Sequence, residues 1–154
     1  MEILEIKRTQ EVFDNVKLRE VFLHFKKLLV ELRKRNLPDG LVMEINKSIE
    51  ELNNTPGSAI EQKRLIRKKQ SAILKLLDKE MKLVPSNYYR NLWLVLGMVI
   101  FGLPTGVVFG TILGSMGFIG MGLPIGMPIG MAMGMSLDKK ALTEGRQLDW
   151  ETKD

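Results

Sequence analysis

The sequence predicts an all-α membrane protein in which an N-terminal cytoplasmic helical hairpin or three-helix region precedes a two-helix transmembrane hairpin. Two observations predict this fold class. The 47 residues from Asn91 to Leu137 contain no charged side chain, and the apolar residues before them recur at helical spacing. An uncharged apolar stretch and a region rich in Lys and Glu are not stable in the same solvent. The chain is therefore predicted to divide into two regions.

The first helix is expected from Thr9 to Arg35, because its apolar residues follow one another at steps of four and three. They form one stripe, made of Leu18, Phe22, Phe25, Leu29 and Leu32. Pro38 and Gly40 end this helix, since the residue before a proline is disfavoured in the helical conformation.

Two further helices are predicted before the apolar stretch. The second carries the stripe Leu41 or Val42, Ile45, Ile49 and Leu52 and ends in the turn-forming residues 53–57. Ser58 and Glu61 have the spacing of a capping box, which predicts the start of a third helix. Its stripe is Ile66, Ile73, Leu77, Met81 and Val84, and Pro85 is expected to end it. Residues 1–86 are therefore predicted to form one amphipathic helical domain.

This N-terminal domain is predicted to bind proteins. Three short helices bury a modest core, so association with other copies of the chain is expected. The chain has no cysteine, so no thiolate is present. Its one histidine, His24, has no evident partners in the sequence for a metal site or a catalytic triad. We therefore expect no enzyme activity, no metal and no cofactor. The basic cluster from Lys63 to Lys69 is interpreted as a solvated helix face, and nucleic-acid binding is not expected because no aromatic platform accompanies it.

Residues 87–137 are predicted to form the transmembrane hairpin. A crossing needs roughly 20 apolar residues, so the uncharged stretch accommodates two crossings, at about 92–113 and 118–137. Arg90 on one flank and Lys139, Lys140 and Arg146 on the other place both termini in the cytoplasm by the positive-inside rule. The charged tail 138–154 is then cytoplasmic, and membrane lipids are expected partners.

Eleven of the fourteen glycines lie in this hairpin, and most repeat every four residues. There are two runs of four: Gly102, Gly106, Gly110 and Gly114, then Gly122, Gly126, Gly130 and Gly134. Glycine costs a helix about 1 kcal/mol relative to alanine, and close approach of another backbone offsets that cost. The pattern is typical of a glycine zipper, which packs helices within or between subunits.

The two glycine runs also resemble copies of one another. Residues 101–106 and 121–126 share the pattern Gly-Leu-Pro-x-Gly at an offset of twenty residues, and Gly97 matches Gly117 at the same offset. In two antiparallel helices such copies have inverted topology, an arrangement familiar from transporters.

Prolines interrupt both predicted crossings. Pro104 lies in the first, and Pro124 and Pro128 lie in the second. Each proline removes one backbone hydrogen bond, so kinks and carbonyls short of a donor are predicted at these positions. Pro104 and Pro124 are expected near the centre of the bilayer.

One part of the sequence resembles a known group of proteins. The motif from Gly122 to Gly126, followed by Asp138 to Ala141 and Glu144 to Leu148, resembles uncharacterised bacterial two-transmembrane proteins with a glycine-rich hairpin and a short charged tail. The resemblance covers residues 90–148 at most. It implies a bacterial inner membrane and carries no activity with it.

Two functions fit these observations. The first is an oligomeric scaffold or interaction module that glycine-zipper packing assembles and that binds a cytoplasmic protein through the N-terminal helices. The alternative is an oligomeric channel or pore with its constriction at the Gly-Leu-Pro-x-Gly motifs. No Asp, Glu, Lys, Arg or His lies between Arg90 and Asp138, which argues against a proton relay or a coupled transporter.

Overall fold

The structure is a computed structural model that describes residues 2–7 and 15–152. Within these ranges the chain forms six α-helices, one π-helical turn, one 3₁₀ segment and a two-stranded sheet. It divides into two compact units, Met1–Leu83 and Val84–Asp154, which we call the N-terminal unit and the hairpin unit.

The N-terminal unit contains the three predicted amphipathic helices. They are α1 (Val16–Arg33), α2 (Asp39–Asn54) and α3 (Ala59–Met81). The Asn15 side chain accepts a hydrogen bond from the Leu18 N–H at 3.1 Å and caps α1. The predicted start of this helix at Thr9 falls within residues 8–14, which lie outside the described part of the chain.

Most of the core of the N-terminal unit is formed by the predicted stripes, although Leu52 and Met81 are only half-buried and Leu28, outside the stripes, is fully buried. All five residues of the α1 stripe are buried, as are Ile45 and Ile49 on α2 and Ile73 and Leu77 on α3. Helix α3 packs against both α1 and α2. At its start, the Glu61 carboxylate accepts from the Ser58 N–H and the Ser58 hydroxyl, both at 2.9 Å. These bonds lower the pKa of Glu61.

Helix α3 ends four residues before the predicted stop at Pro85. Lys82 adopts the left-handed conformation with φ of 55°, and its N–H bonds to the Asp78 carbonyl at 3.0 Å. This turn closes the helix at Met81. Val84, predicted to be helical, is a buried residue of a strand.

The hairpin unit contains two long apolar helices, which confirms the prediction that residues 87–137 form two such helices. They run over Tyr88–Ile112 and Gly117–Thr143, and an 18-residue stretch within each has a mean hydropathy of 2.2 and 1.5, respectively. At 1.5 Å per residue each is longer than the roughly 30 Å of a hydrocarbon core. Each consists of segments in sequence: α4 (Tyr88–Gly97), a π-helical turn (Met98–Gly102) and α5 (Leu103–Ile112), then a 3₁₀ segment (Met116–Gly122) and α6 (Leu123–Thr143).

A two-stranded parallel sheet adds to the predicted all-α architecture. Strand β1 (Val84–Ser86) enters the hairpin, and β2 (Gln147–Glu151) follows it, with Val84 aligned to Gln147. The predicted tail 138–154 is thus structured over its described residues: α6 continues to Thr143, and Gly145 with φ of 69° reverses the chain into β2. The Arg146 carbonyl accepts from the Val84 N–H at 3.0 Å.

Candidate functional site

The two long helices meet along a line of glycines that we call the glycine seam: Gly97, Gly102, Gly106, Gly122, Gly126, Gly130 and Gly134. Each is buried. A Cβ added at any of them would come within 3.0 Å of backbone atoms of the opposite helix. No side chain larger than hydrogen fits there, so the backbones themselves are in contact.

At each seam glycine a carbonyl oxygen of the opposite helix is among the atoms nearest to an added Cβ, and the contact of Gly97 with Gly126 is reciprocal. A Cβ on Gly97 would point at the Gly126 carbonyl at 2.5 Å, and a Cβ on Gly126 would in turn meet the Gly97 carbonyl. In glycine a Cα hydrogen takes the place of this Cβ. The seam therefore has the geometry of Cα–H···O contacts, each worth about 0.5–1 kcal/mol.

The π-helical turn sets which glycines share the seam. Gly97 and Gly102 are five residues apart, a step that a regular α-helix would place on different sides. The turn at Met98–Gly102 inserts the extra residue, and the N–H of Leu103 bonds to the carbonyl of Met98. Gly97 thereby faces Gly126 and Gly130 on α6.

Four glycines of the hairpin are not among the seven that define the seam: Gly110, Gly114, Gly117 and Gly120. Gly114, predicted as the last member of the first run, adopts φ of +67° and has nothing within 4 Å of an added Cβ. The Ser115 N–H bonds to the Gly110 carbonyl at 3.0 Å, so Gly114 ends the helix as a left-handed C-cap. Gly110 is buried. Gly117 and Gly120 have at least 3.5 Å of space.

The predicted repeat has a structural counterpart at the centre of the seam. Gly102 lies against Gly122, its own match at the offset of twenty. The contact of Gly106 with Gly122 corresponds under the same offset to the contact of Gly126 with Gly102. Both are present, as an inverted pair of copies requires.

The prolines occupy two kinds of position. Pro104 and Pro124 are each the second residue of an α-helix that follows an irregular turn, where a missing N–H costs little. Pro128 lies inside α6. Next to Pro104, the Thr105 hydroxyl donates to the carbonyls of Phe101 at 2.7 Å and Gly102 at 3.0 Å. Thr105 thus supplies a donor to the turn that the proline interrupts.

Large apolar side chains of the hairpin point outward. In the most apolar 18-residue stretch of each long helix, only 17% and 22% of the stretch, respectively, is buried within the protein. Exposed residues include Val95, Val99, Val108, Ile112 and Met135, each at least half exposed. In the core helix of a soluble protein these side chains would be buried. The outer surface of the two long helices is therefore suited to apolar surroundings.

Asp138 joins the two helices at the end of the hairpin opposite the turn. Its carboxylate is 8% exposed and accepts from the Tyr89 N–H at 3.0 Å and the Arg90 N–H at 2.9 Å. These are among the first N–H groups of α4, which have no partner within their own helix. A negative charge is also favourable at a helix N-terminus. Asp138 of α6 therefore caps α4.

Charged and polar groups surround this cap. Asn87, with φ of 60°, donates from Nδ2 to Glu151 Oε1 at 2.9 Å, and Arg90 lies 3.7 Å from the same oxygen. A bond from Arg146 Nε to Glu144 at 2.7 Å raises the pKa of the guanidinium. The Tyr88 and Tyr89 rings pack edge to face at 5.1 Å. Charge and aromatic groups thus concentrate at this end of the hairpin.

Comparisons with known proteins give no match: no family model, no curated protein and no solved structure is similar to this chain. Among the described residues, no group of three or more His, Cys, Asp or Glu side chains could hold a metal ion.

Proposed function

We propose that this chain is an integral protein of the bacterial inner membrane, with both termini in the cytoplasm. It acts as a homo-oligomeric scaffold or interaction module without enzyme activity. The hairpin anchors it among membrane lipids, and the N-terminal unit faces a cytoplasmic protein partner. The observation that carries the proposal is the outward-facing apolar surface of two helices whose buried contact residues are mostly glycine.

Hydrocarbon surroundings account for both sides of the hairpin. Lipid tails are as apolar as the outward side chains, so those side chains gain nothing by packing against the other helix. Helix association then depends on close contact, which the glycine seam provides. The basic residues Arg90, Lys139, Lys140 and Arg146 lie at one end of the hairpin, which supports the cytoplasmic orientation.

The glycine seam joins the two helices of one chain, so contact between copies needs another face. Helix α6 offers one: Pro124, Pro128, Ala132 and Ser136 are exposed and recur every four residues. Small residues at this spacing allow close approach of a neighbouring helix. We place the contact between copies on this outer stripe.

The native mass of the protein in nanodiscs tests this assignment. A ring or dimer is expected for the wild type. Ala132→Leu and Ser136→Leu are expected to reduce the mass to that of one chain, because leucine holds the neighbouring helix away. Met133→Leu, next to Ala132 on an exposed position, is the matched control and should leave the mass unchanged. A monomeric wild type would refute the oligomer.

Membrane insertion has its own test in this cysteine-free chain. Ser115→Cys places a thiol in the turn between the two helices. In intact cells it should react with an impermeant reagent added outside, whereas Ser136→Cys should not. Protection of both thiols would contradict a spanning hairpin.

The geometry weighs against the pore alternative. A constriction at the Gly-Leu-Pro-x-Gly motifs needs space between the glycine faces, and those faces are in backbone contact. A pore would have to be lined by the outer surfaces of several copies, which carry apolar side chains such as Val99 and Val108. Ion flux through liposomes that contain the purified oligomer would revive this alternative.

A further inference from the structure

An extended segment of the N-terminal unit, Glu2–Lys7, is held by side chains of two helices. The segment is bonded to Arg33, the last residue of α1, and to Asn46 and Asn53 on α2. Ile3 is buried and Ile6 is half-buried. The segment has no regular secondary structure, so side chains of the two helices provide partners for its backbone.

Two asparagines bond to the segment in the same way. The Asn46 carboxamide accepts from the Leu4 N–H at 2.8 Å and donates to the Glu2 carbonyl at 2.9 Å. The Asn53 carboxamide accepts from the Lys7 N–H at 2.7 Å and donates to the Glu5 carbonyl at 3.1 Å. Each carboxamide thus pairs with one carbonyl and with the N–H two residues later.

The second set of bonds repeats the first after three residues. Three residues of an extended chain span about 10 Å. Asn46 and Asn53 are seven residues apart, which is about 10.5 Å along α2. The two spacings match, and the sequence of the segment has the same period, since Glu-Ile occurs at residues 2–3 and again at 5–6. Asn46 and Asn53 therefore form two equivalent binding positions on α2 for a segment whose sequence repeats every three residues.

Arg33 adds contacts from the other side of the segment. Its guanidinium donates to the Ile3 carbonyl at 3.0 and 3.2 Å and to the Leu4 carbonyl at 3.0 Å, and it lies 3.4 Å from the Glu5 carboxylate. Most bonds from the two helices go to backbone groups, which any extended peptide offers. Selectivity is left to the apolar contacts of Ile3 and Ile6 and to the charge of Glu5.

We propose that Arg33, Asn46 and Asn53 form a docking groove for an extended segment with two aliphatic residues three apart and an acidic residue between them. Its occupant is the segment 2–7 of a second copy of this chain. The chain's own segment makes every one of these contacts, so an identical segment from another copy has the chemistry that the groove requires.

Exchange between copies keeps the same bonds and changes only which chain supplies them, which is why identical elements swap at low cost. Lys7 and Asn15 are eight residues apart, so the connection between them can span up to about 27 Å. The segment can therefore enter the groove of any adjacent copy whose groove lies within this reach of Asn15. The inference goes beyond the proposed membrane role, because it concerns the N-terminal unit and needs no contact between hairpins.

Photo-crosslinking in the full chain tests the exchange. Leu4 is 40% exposed while its N–H bonds to Asn46, so a benzoylphenylalanine at position 4 samples the groove without filling the core. Equal amounts of isotopically heavy and light protein are reconstituted together and irradiated. Cross-links that join a heavy chain to a light chain through position 4 are expected. Their absence, in a preparation whose native mass is oligomeric, would overturn the exchange and leave the proposed assembly intact.

Peptide binding tests the groove by itself. In the full chain, Ile3→Ser with Ile6→Ser removes the apolar anchors of the chain's own segment, and circular dichroism checks that the helices remain. A fluorescent peptide of residues 2–7 should then bind saturably. Adding Asn46→Ala and Asn53→Ala should weaken binding at least about tenfold, since two bridging carboxamides are lost. Equal binding with and without the asparagines would overturn the groove, even in an oligomer.

Discussion

The three helices of the N-terminal unit are held together by large side chains such as Phe25, Leu32 and Ile45, none of which is exposed to solvent. The two helices of the hairpin unit place side chains of the same kind, such as Val99 and Ile112, on the outside and meet through glycine. Both units are rich in apolar residues. The comparison teaches that the spacing of the smallest residue, more than apolar content, indicates which face of a helix is the packed one.

The largest difference between the units should follow removal of a phenyl ring. Phe25→Ala empties a fully buried position and is expected to lower the free energy of unfolding of the N-terminal unit by about 3–5 kcal/mol. Amide hydrogen exchange along α1 in the full chain measures it. Phe109→Ala, at a position 39% exposed on the hairpin, should change exchange there by less than about 0.5 kcal/mol. Similar losses at both positions would contradict an outward-facing Phe109.

The opposite substitution, adding one methyl group, should separate seam glycines from the others. Gly126→Ala places a Cβ against the backbone of the first long helix and is expected to cost about 1–3 kcal/mol. Gly120→Ala has nothing within 4 Å and should be neutral or slightly stabilising, because alanine favours helical structure. Thermal unfolding in detergent, followed by circular dichroism, measures both. If Gly126→Ala melts like the wild type, the seam is looser than described.

The cap at Asp138 is the charged contact that joins the two long helices, and its removal should have a smaller effect. Asp138→Asn keeps the size of the side chain but replaces a carboxylate that accepts two hydrogen bonds, at an expected cost of about 1–2 kcal/mol. Faster hydrogen exchange at the amides of Tyr89 and Arg90 is the specific readout. Lys139→Ala, one residue away and exposed, should leave both amides protected. Unchanged exchange in Asp138→Asn would show that the carboxylate is dispensable.

The smallest expected effect is a dependence on pH confined to the N-terminal unit. Glu51 on α2 accepts a hydrogen bond from Lys69 on α3, and this bond together with the positive charge lowers the pKa of Glu51 below its ordinary value of 4.5. A lowered pKa in the folded state stabilises the fold above pH 4.5, and this contribution is lost as the pH falls through the folded-state pKa.

Glu51→Gln should therefore flatten the acid side of the stability profile of the N-terminal unit and leave the hairpin unchanged. The effect is expected to be small because Glu51 is half exposed and the pair is screened by solvent. A profile identical to that of the wild type between neutral pH and acid would show that Lys69 and Glu51 are not coupled.

Local patterns in the sequence predicted much of both units. The α1 stripe from Leu18 to Leu32 and the capping residues Ser58 and Glu61 act within one or two helical turns, and so does the four-residue spacing from Gly122 to Gly134. Such features repeat at a fixed period, and a period can be recognised without knowledge of the fold.

Other features depend on residues that are distant in the sequence. Asp138 and Tyr89 are 49 residues apart, and Asn46 and Leu4 are 42 apart. A single carboxylate or carboxamide gives no signal of its distant partner. Strand β1 escaped prediction because it has three residues and includes Pro85, which does not suit a strand pattern. The four-residue spacing excludes Gly97, whose five-residue step to Gly102 needs a π-helical turn, and it includes Gly114, which in the structure is a C-cap.

The parallel pairing of β1 and β2 has a mechanical consequence. Since the strands run in the same direction, the chain enters the hairpin unit at one end of the ladder and leaves β2 at the other. A force that pulls Val84 and Glu151 apart would load the ladder in shear, so its bonds, among them those of Val84 to Arg146 and Ser86 to Leu148, share the load. Tension that reaches the ends of this unit is thus borne by the ladder before it reaches the contact between the two long helices.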